Sequence, residues 1–237
     1  MTPLTHSPTP ASRLRARHSR ARVAAVAVAA ILSTLAGCQA TAPSTVPDFV
    51  ALTERAAPSV VGIGDETRMW GSGFRLQSTD TVLTAAHLFA AAHGALRVRW
   101  QGHDYAAAVD RVDERTDIAV LGLTEPAPMP GLALASPGTV LRPGQWIVVL
   151  GCPFGGGITT SVGVIAALPG VVEQPAVLKD RLQLNAGMHP GISGGPVIAA
   201  DGRVIGLATA SGPSASGLGF ATPYTALAEL TAAAGAK

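Results

Sequence analysis

Charge is scarce in this sequence. Asp, Glu, Lys and Arg make up 14% of its 237 residues, against 48% hydrophobic. A disordered chain needs the opposite balance, so a folded domain is expected. Cysteine is scarcer still, with Cys38 and Cys152 alone. Two cysteines give no disulfide framework, and the core must hold the fold by itself. An unbroken apolar run of about 20 residues, the length that spans a bilayer, is also missing. The candidate, Val23 to Ala36, is interrupted by Ser33 and Thr34. No period of about 20–50 residues recurs, which argues against a repeat protein. His93, His103 and His189 share no spacing with cysteines or carboxylates that would make a metal site, and no metal or cofactor is expected.

Charge is also unevenly placed. Arg13, Arg15, Arg17, Arg20 and Arg22 precede Cys38, and no acidic residue does. The formal net charge of +2 therefore misleads. From Cys38 onward 12 basic residues face 15 acidic ones, a net of −3. The clustered Lys and Arg of a nucleic-acid footprint are absent there, so no nucleic-acid partner is expected. One domain of about 200 residues buries roughly 70% of its unfolded surface, enough for one sizeable core or two small ones packed together.

The N-terminal stretch reads as an address. A basic, polar region leads into the apolar run, which ends Leu35-Ala36-Gly37-Cys38. That tetrapeptide resembles the lipobox of bacterial lipoproteins, where cleavage precedes the cysteine and the thiol is acylated. The resemblance implies a signal peptide over residues 1–37 and a lipid on Cys38. An ordinary signal peptide with a chance cysteine is the alternative. Gln39 to Pro47 is small, polar and Pro-containing, so residues 38–47 are expected to form a lipidated tether and 48–237 the domain. The domain would face the periplasm or the exterior from a membrane. Lipoproteins held at the inner membrane carry Asp after the cysteine; Gln39 favours the outer one. Cys152 follows an apolar run and reads as a small buried hydrophobe.

From Pro58 onward, short apolar runs alternate with Gly, Pro, Asp and Ser. The pattern predicts strands over Ser59–Gly64, Gly73–Leu76, Thr81–Ala85, Arg97–Trp100, Ile118–Leu123, Trp146–Gly151, Ile158–Leu168, Gly195–Ile198 and Val204–Thr209. Runs of this length between close turn signals indicate an all-β barrel or sandwich. Pro223 to Ala234 is Ala/Leu-rich and reads as a terminal helix.

Three motifs stand in chain order: Thr84-Ala85-Ala86-His87, Thr116-Asp117-Ile118-Ala119-Val120 and Gly191-Ile192-Ser193-Gly194-Gly195-Pro196. A serine hydroxyl is a weak nucleophile until a base takes its proton. Imidazole can do this near neutral pH and then return the proton to the leaving amine. A carboxylate must fix the imidazole tautomer. The glycines around Ser193 permit a cramped backbone, from which the Gly191 and Ser193 N–H groups can form an oxyanion hole. His87, Asp117 and Ser193 are thus the candidate triad, with Asp113 and Glu114 as near rivals to Asp117.

On these motifs the chain resembles the protease domain of the HtrA/Deg family of trypsin-like serine proteases. Ala57-Pro58-Ser59-Val60-Val61, Gly71-Ser72-Gly73-Phe74, Gly151-Cys152-Pro153-Phe154-Gly155, Asp201-Gly202-Arg203-Val204-Ile205-Gly206 and Gly217-Leu218-Gly219-Phe220-Ala221 extend the likeness in the right order over residues 50–230. It implies two six-stranded antiparallel barrels with the triad at their junction, a short C-terminal helix, and peptide-bond hydrolysis through an acyl-enzyme. Protein or peptide substrates are implied as partners. The primary pocket would be floored by Leu184-Asn185-Ala186-Gly187-Met188 and walled by Ala208, Thr209 and Ala210. Two departures stand out. The sequence ends soon after the terminal helix, so the PDZ domain of many relatives is not expected, and Ile192 stands where the family usually has Asn. A non-catalytic envelope chaperone on the same fold is the rival reading, and esterase activity a third.

Overall fold

A computed structural model of the chain describes residues 46–77, 79, 81–91, 94–153, 157–171, 178–211 and 217–232, without the side chains of 91, 210 and 211. The expected signal peptide, Cys38, most of the tether, His93, Phe154, Gly155 and the last residues of the expected terminal helix lie outside them. The chain divides into Met1–Val46 and a compact unit, Pro47–Lys237.

Twelve strands among the described residues build two closed antiparallel barrels. The first contains β1 (Val60–Gly64), β2 (Met69–Arg75), β3 (Thr81–Thr84), β4 (Arg97–Trp100), β5 (His103–Asp113) and β6 (Ile118–Leu123). The second contains β7 (Trp146–Gly151), β8 (Thr159–Ala167), β9 (Leu182–Asn185), β10 (Pro196–Ala199), β11 (Val204–Ser211) and β12 (Leu218–Pro223). Strand order is the same in both: 1-2-3-6-5-4 in the first and 7-8-9-12-11-10 in the second. Closure leaves no unpaired strand edge in either barrel. The all-β expectation and the two six-stranded barrels hold.

The strands missing from the sequence pattern have a physical reason. β5 has a burial pattern with no fully buried position, and its Ala and charged residues carry no alternation. Pairing with β4 and β6 on either side makes it a strand. Tertiary pairing overrides weak propensity here. Ser59, expected in a strand, closes a short 3₁₀ turn instead.

Helix α1 (Phe49–Ala56) lies where the sequence shows only the start of the domain. Asp48 caps it, its Oδ1 accepting from the Ala51 N–H at 2.9 Å. Leu52 and Ala56 are buried in the core, and Phe49 meets Trp146 of β7 edge-on at 5.5 Å. Helix α2 (Tyr224–Ala232) follows β12 and buries Tyr224 and Leu227. No described helix is long and apolar enough to cross a membrane.

One hydrophobic cluster fills the first barrel and continues through Val148, Leu150, Ile198, Val204 and Leu207 of the second and Leu227 of α2. The segment between the barrels is stitched to both, Leu132 bridging to Leu76 and Leu134 to Val204. The junction is therefore packed and hydrogen-bonded, and the candidate residues lie along it.

Candidate active site

Register brings the first two candidates together. β3 and β6 are neighbours, with Thr84 opposite Ala119. His87 leaves the end of β3 in the 3₁₀ turn Ala86–Ala91, and Asp117 immediately precedes β6. Their side chains meet, His87 Nδ1 lying 2.8 Å from Asp117 Oδ2. The other carboxylate oxygen accepts from the His87 N–H at 2.8 Å. Asp117 thus grips both backbone and ring of His87, with the histidine side chain 45% exposed and the aspartate 17%. Asp117 is left-handed, at φ 57°, an unusual conformation for a residue with a Cβ. The rival Asp113 is occupied elsewhere: it accepts from the Thr116 hydroxyl at 2.7 Å and the Arg115 N–H at 3.0 Å. Those bonds, the Thr116 hydroxyl foremost, hold its carboxyl below the ordinary value.

Ser193 sits in the tight turn before β10. Its hydroxyl donates to the Thr209 carbonyl at 3.4 Å rather than to His87. Such a long bond is weak and readily given up. Around it the backbone donors divide into two sets. Ile192 donates to the His189 carbonyl, Gly194 to Ala208 and Gly195 to Ile192. The N–H groups of Gly191 and Ser193 have no acceptor among the described residues. Gly191 and Gly194 are left-handed, at φ 91° and 89°. A Cβ on Gly194 would overlap the Ser72 carbonyl oxygen and the Thr84 hydroxyl, so only glycine fits.

In the sequence Ser72 stands only as one residue of the hairpin motif Gly71-Ser72-Gly73-Phe74. It is wholly buried on β2, and its N–H and hydroxyl reach across the barrel junction. Its N–H donates to the Ser193 carbonyl at 2.8 Å. Its hydroxyl accepts from the Cys152 N–H at 2.7 Å and donates to the Gly191 carbonyl at 2.5 Å. Its carbonyl accepts from the Thr84 hydroxyl at 2.6 Å. A small polar residue between two glycines, inside an apolar strand, was the available signal.

Ile192 is fully buried in the core of the second barrel, packed over Gly151. Ala208 is also fully buried, its N–H and carbonyl bonded to Gly195 and Gly194, so it backs the nucleophile turn. Thr209 is 5% exposed and presents its carbonyl to Ser193. The side chain of Ala210 lies outside the described residues. Cys152 is a buried free thiol, and burial pushes its pKa up. Among the described residues no three His, Cys, Asp or Glu side chains gather as metal ligands.

A histidine held by a carboxylate, a serine in the turn before β10, and two N–H groups without an acceptor among the described residues are the equipment of acyl transfer. The trypsin-like peptidase domain model matches residues 71–207, more than half of the chain. The chain belongs to the trypsin-like peptidase family. The relatives it resembles include HtrA and DegP-like proteases. This trypsin-like domain is 37% identical over 156 residues to HhoB of Synechocystis sp., named as a serine protease, covering 65% of this chain and 37% of that protein. It is 33% identical over 170 residues to a DegP-like protein of Halomonas elongata named as a periplasmic serine endoprotease, covering 70% of this chain and 35% of that one. The chain spans well under half the length of these curated relatives. Among solved structures, it superposes on the HtrA-type protease AlgW bound to a tripeptide with a TM-score of 0.68 and 28% identity. That match covers 78% of this chain and 62% of the other.

Proposed function

We propose that this trypsin-like domain is a serine endopeptidase in which Ser193 is the nucleophile, His87 the general base and acid, and Asp117 the carboxylate that orients His87. The observation that carries this reading is the pairing of the His87–Asp117 bond of 2.8 Å with two N–H groups, on Gly191 and Ser193, that have no acceptor among the described residues. Substrate binding turns the Ser193 hydroxyl from the Thr209 carbonyl toward His87 Nε2. Oγ attacks the scissile carbonyl as the proton passes to Nε2, and the Gly191 and Ser193 N–H groups receive the oxyanion. His87 then protonates the leaving amine, and the acyl-enzyme is hydrolysed by water, His87 again serving as base.

Substrates in this proposal are envelope proteins. Cleavage of a lipoprotein signal over residues 1–37 leaves Cys38 acylated, and residues 39–47 tether the domain 48–237 to a membrane on its periplasmic or outer side. The lipobox-like Leu35-Ala36-Gly37-Cys38 and the periplasmic DegP-like relative support this location. The rival reading, a chaperone that binds without cutting, gives no task to the His87–Asp117 pair or to the two N–H groups that lack an acceptor among the described residues. The deciding experiment incubates an unfolded protein with wild type and with Ser193→Ala. Fragmentation by wild type, reduced at least about a thousandfold in the variant, is expected. Equal binding without fragmentation by either would establish the chaperone instead.

A further inference from the structure

Arg181 is the one buried guanidinium among the described residues, 6% exposed. It stands immediately before β9, in the second barrel, yet it reaches into the first. Nη1 donates to the Thr116 carbonyl and to the Thr222 hydroxyl. Nη2 donates to the Arg115 carbonyl at 3.3 Å. The Thr222 hydroxyl donates in turn to the same Thr116 carbonyl at 2.7 Å. No carboxylate among the described residues lies within ion-pair distance of this guanidinium. Burial pulls its pKa down, and the charge of Asp117 is the largest effect opposing that pull.

A buried cation without a direct counter-ion is an expensive way to fill space, since an apolar side chain of similar volume packs there without desolvation. What the guanidinium supplies, and an apolar group cannot, is a rigid fork of donors in fixed geometry. That fork closes on two successive carbonyls, and the next residue in the chain is Asp117. Asp117 is left-handed, and its conformation persists only where the surroundings hold it. From within its own turn, Asp113 binds the Thr116 hydroxyl and the Arg115 N–H. The outward carbonyls of the same residues are held from the other barrel.

We propose that Arg181 is a positioning residue: by clamping the Arg115 and Thr116 carbonyls from the second barrel, it fixes the turn that aims the Asp117 carboxylate at His87. The proposal rests on the triad reading of Asp117 and His87. It makes the arrangement of the first barrel's pair depend on correct docking of the second, the barrel that carries Ser193. Thr222 secures the clamp, accepting from Nη1 while donating to the carbonyl that Nη1 also binds.

The test compares the full chain with Arg181→Met and Arg181→Lys. Met keeps the apolar stem and removes the fork; Lys keeps the charge but a single ammonium cannot span both carbonyls in fixed geometry. Steady-state hydrolysis of a chromogenic peptide, thermal melts and the nitrogen NMR shift of His87 Nδ1 are read together. A misaimed catalytic group loses rate of order 10²-fold. Both folded variants are expected to lose kcat by about 10–100-fold with KM changed less than about twofold. The His87 Nδ1 shift should move away from that of wild type in both. A purely structural tie between barrels predicts something else, a lowered melting temperature with kcat and the Nδ1 shift unchanged at 25 °C, and that result overturns the proposal. If Arg181→Met does not fold, Arg181→Lys decides by the same two readouts. Failure of the protease reading would show separately, as a wild-type chain with no peptide hydrolysis. The Nδ1 shift would still decide the role of Arg181 in that case.

Discussion

The Ser72 hydroxyl donates to the Gly191 carbonyl at 2.5 Å while accepting from the Cys152 N–H. One buried side chain of the first barrel thereby fixes the peptide that follows the Gly191 N–H, a donor of the proposed oxyanion hole. Ser72→Ala removes the partner of the buried Cys152 N–H and of the half-buried Gly191 carbonyl. Unsatisfied groups of this kind destabilise by about 1–3 kcal/mol each. The larger effect should fall on turnover, since loss of an oxyanion donor lowers kcat by about 10²–10³-fold. Kinetics of Ser72→Ala should show kcat reduced by at least about tenfold at nearly constant KM. Unchanged kcat would remove Ser72 from the account.

Gly194→Ala should be worse for folding than for any single step of chemistry. The added methyl meets the Ser72 carbonyl and the Thr84 hydroxyl, and φ of 89° is strained for alanine. A strained φ alone costs on the order of 1–3 kcal/mol, before the overlap is relieved. A urea melt should place the variant at least about 2 kcal/mol below wild type. Gly138→Ala provides the control, because φ is 83° there but no atom lies within 4 Å of the added Cβ.

Acid should loosen the turn that carries Asp117. Asp113 is held below its ordinary pKa by the Thr116 hydroxyl and nearby N–H groups. Its folded pKa is lower than its unfolded one, so its contribution is present above about pH 4 and is lost as pH falls through the folded value. Urea melts between about pH 3 and pH 7 should show a shallower acid decline in Asp113→Asn than in wild type. Parallel curves would contradict this.

Cleavage should follow small or medium apolar residues such as Ala and Val. The stretch Leu184-Asn185-Ala186-Gly187-Met188 holds no carboxylate to receive a cation. Met188 lies against Gly219 so closely that a Cβ on Gly219 would overlap it. Burying an unpaired cation there is costly. A peptide library should favour Ala and Val over Arg and Lys before the cut by at least about tenfold. Dominant cleavage after Arg or Lys would refute the pocket assignment.

Much of this was legible in the sequence because its signals are local. His87, Asp117 and Ser193 each stand in a short motif whose residue types state a chemistry, and alternating apolar runs marked most strands. Features that arise only from three-dimensional pairing were not legible. β5 shows no alternation and exists because β4 and β6 flank it. Ser72 looks like hairpin filler until the second barrel docks. Arg181 ends the charged run Lys179-Asp180-Arg181, which gives no local sign of burial, and its partners lie 65 and 66 residues away for the carbonyls and 41 for the hydroxyl. The helix over Phe49–Ala56 stands at the very start of the expected domain, and only Asp48, an ordinary N-cap, marks it in the sequence.

The central claim is that Ser193 is a nucleophile activated by His87, which Asp117 orients. Its most direct test is the rate and site of covalent labelling by a fluorophosphonate, with the adduct mapped by mass spectrometry. The account predicts a single adduct on Ser193, formed at least about a hundredfold more slowly in His87→Ala and in Asp117→Asn, and absent in Ser193→Ala. Labelling of Ser193 at the same rate in all three folded proteins that retain it, or an adduct on another residue, would contradict it.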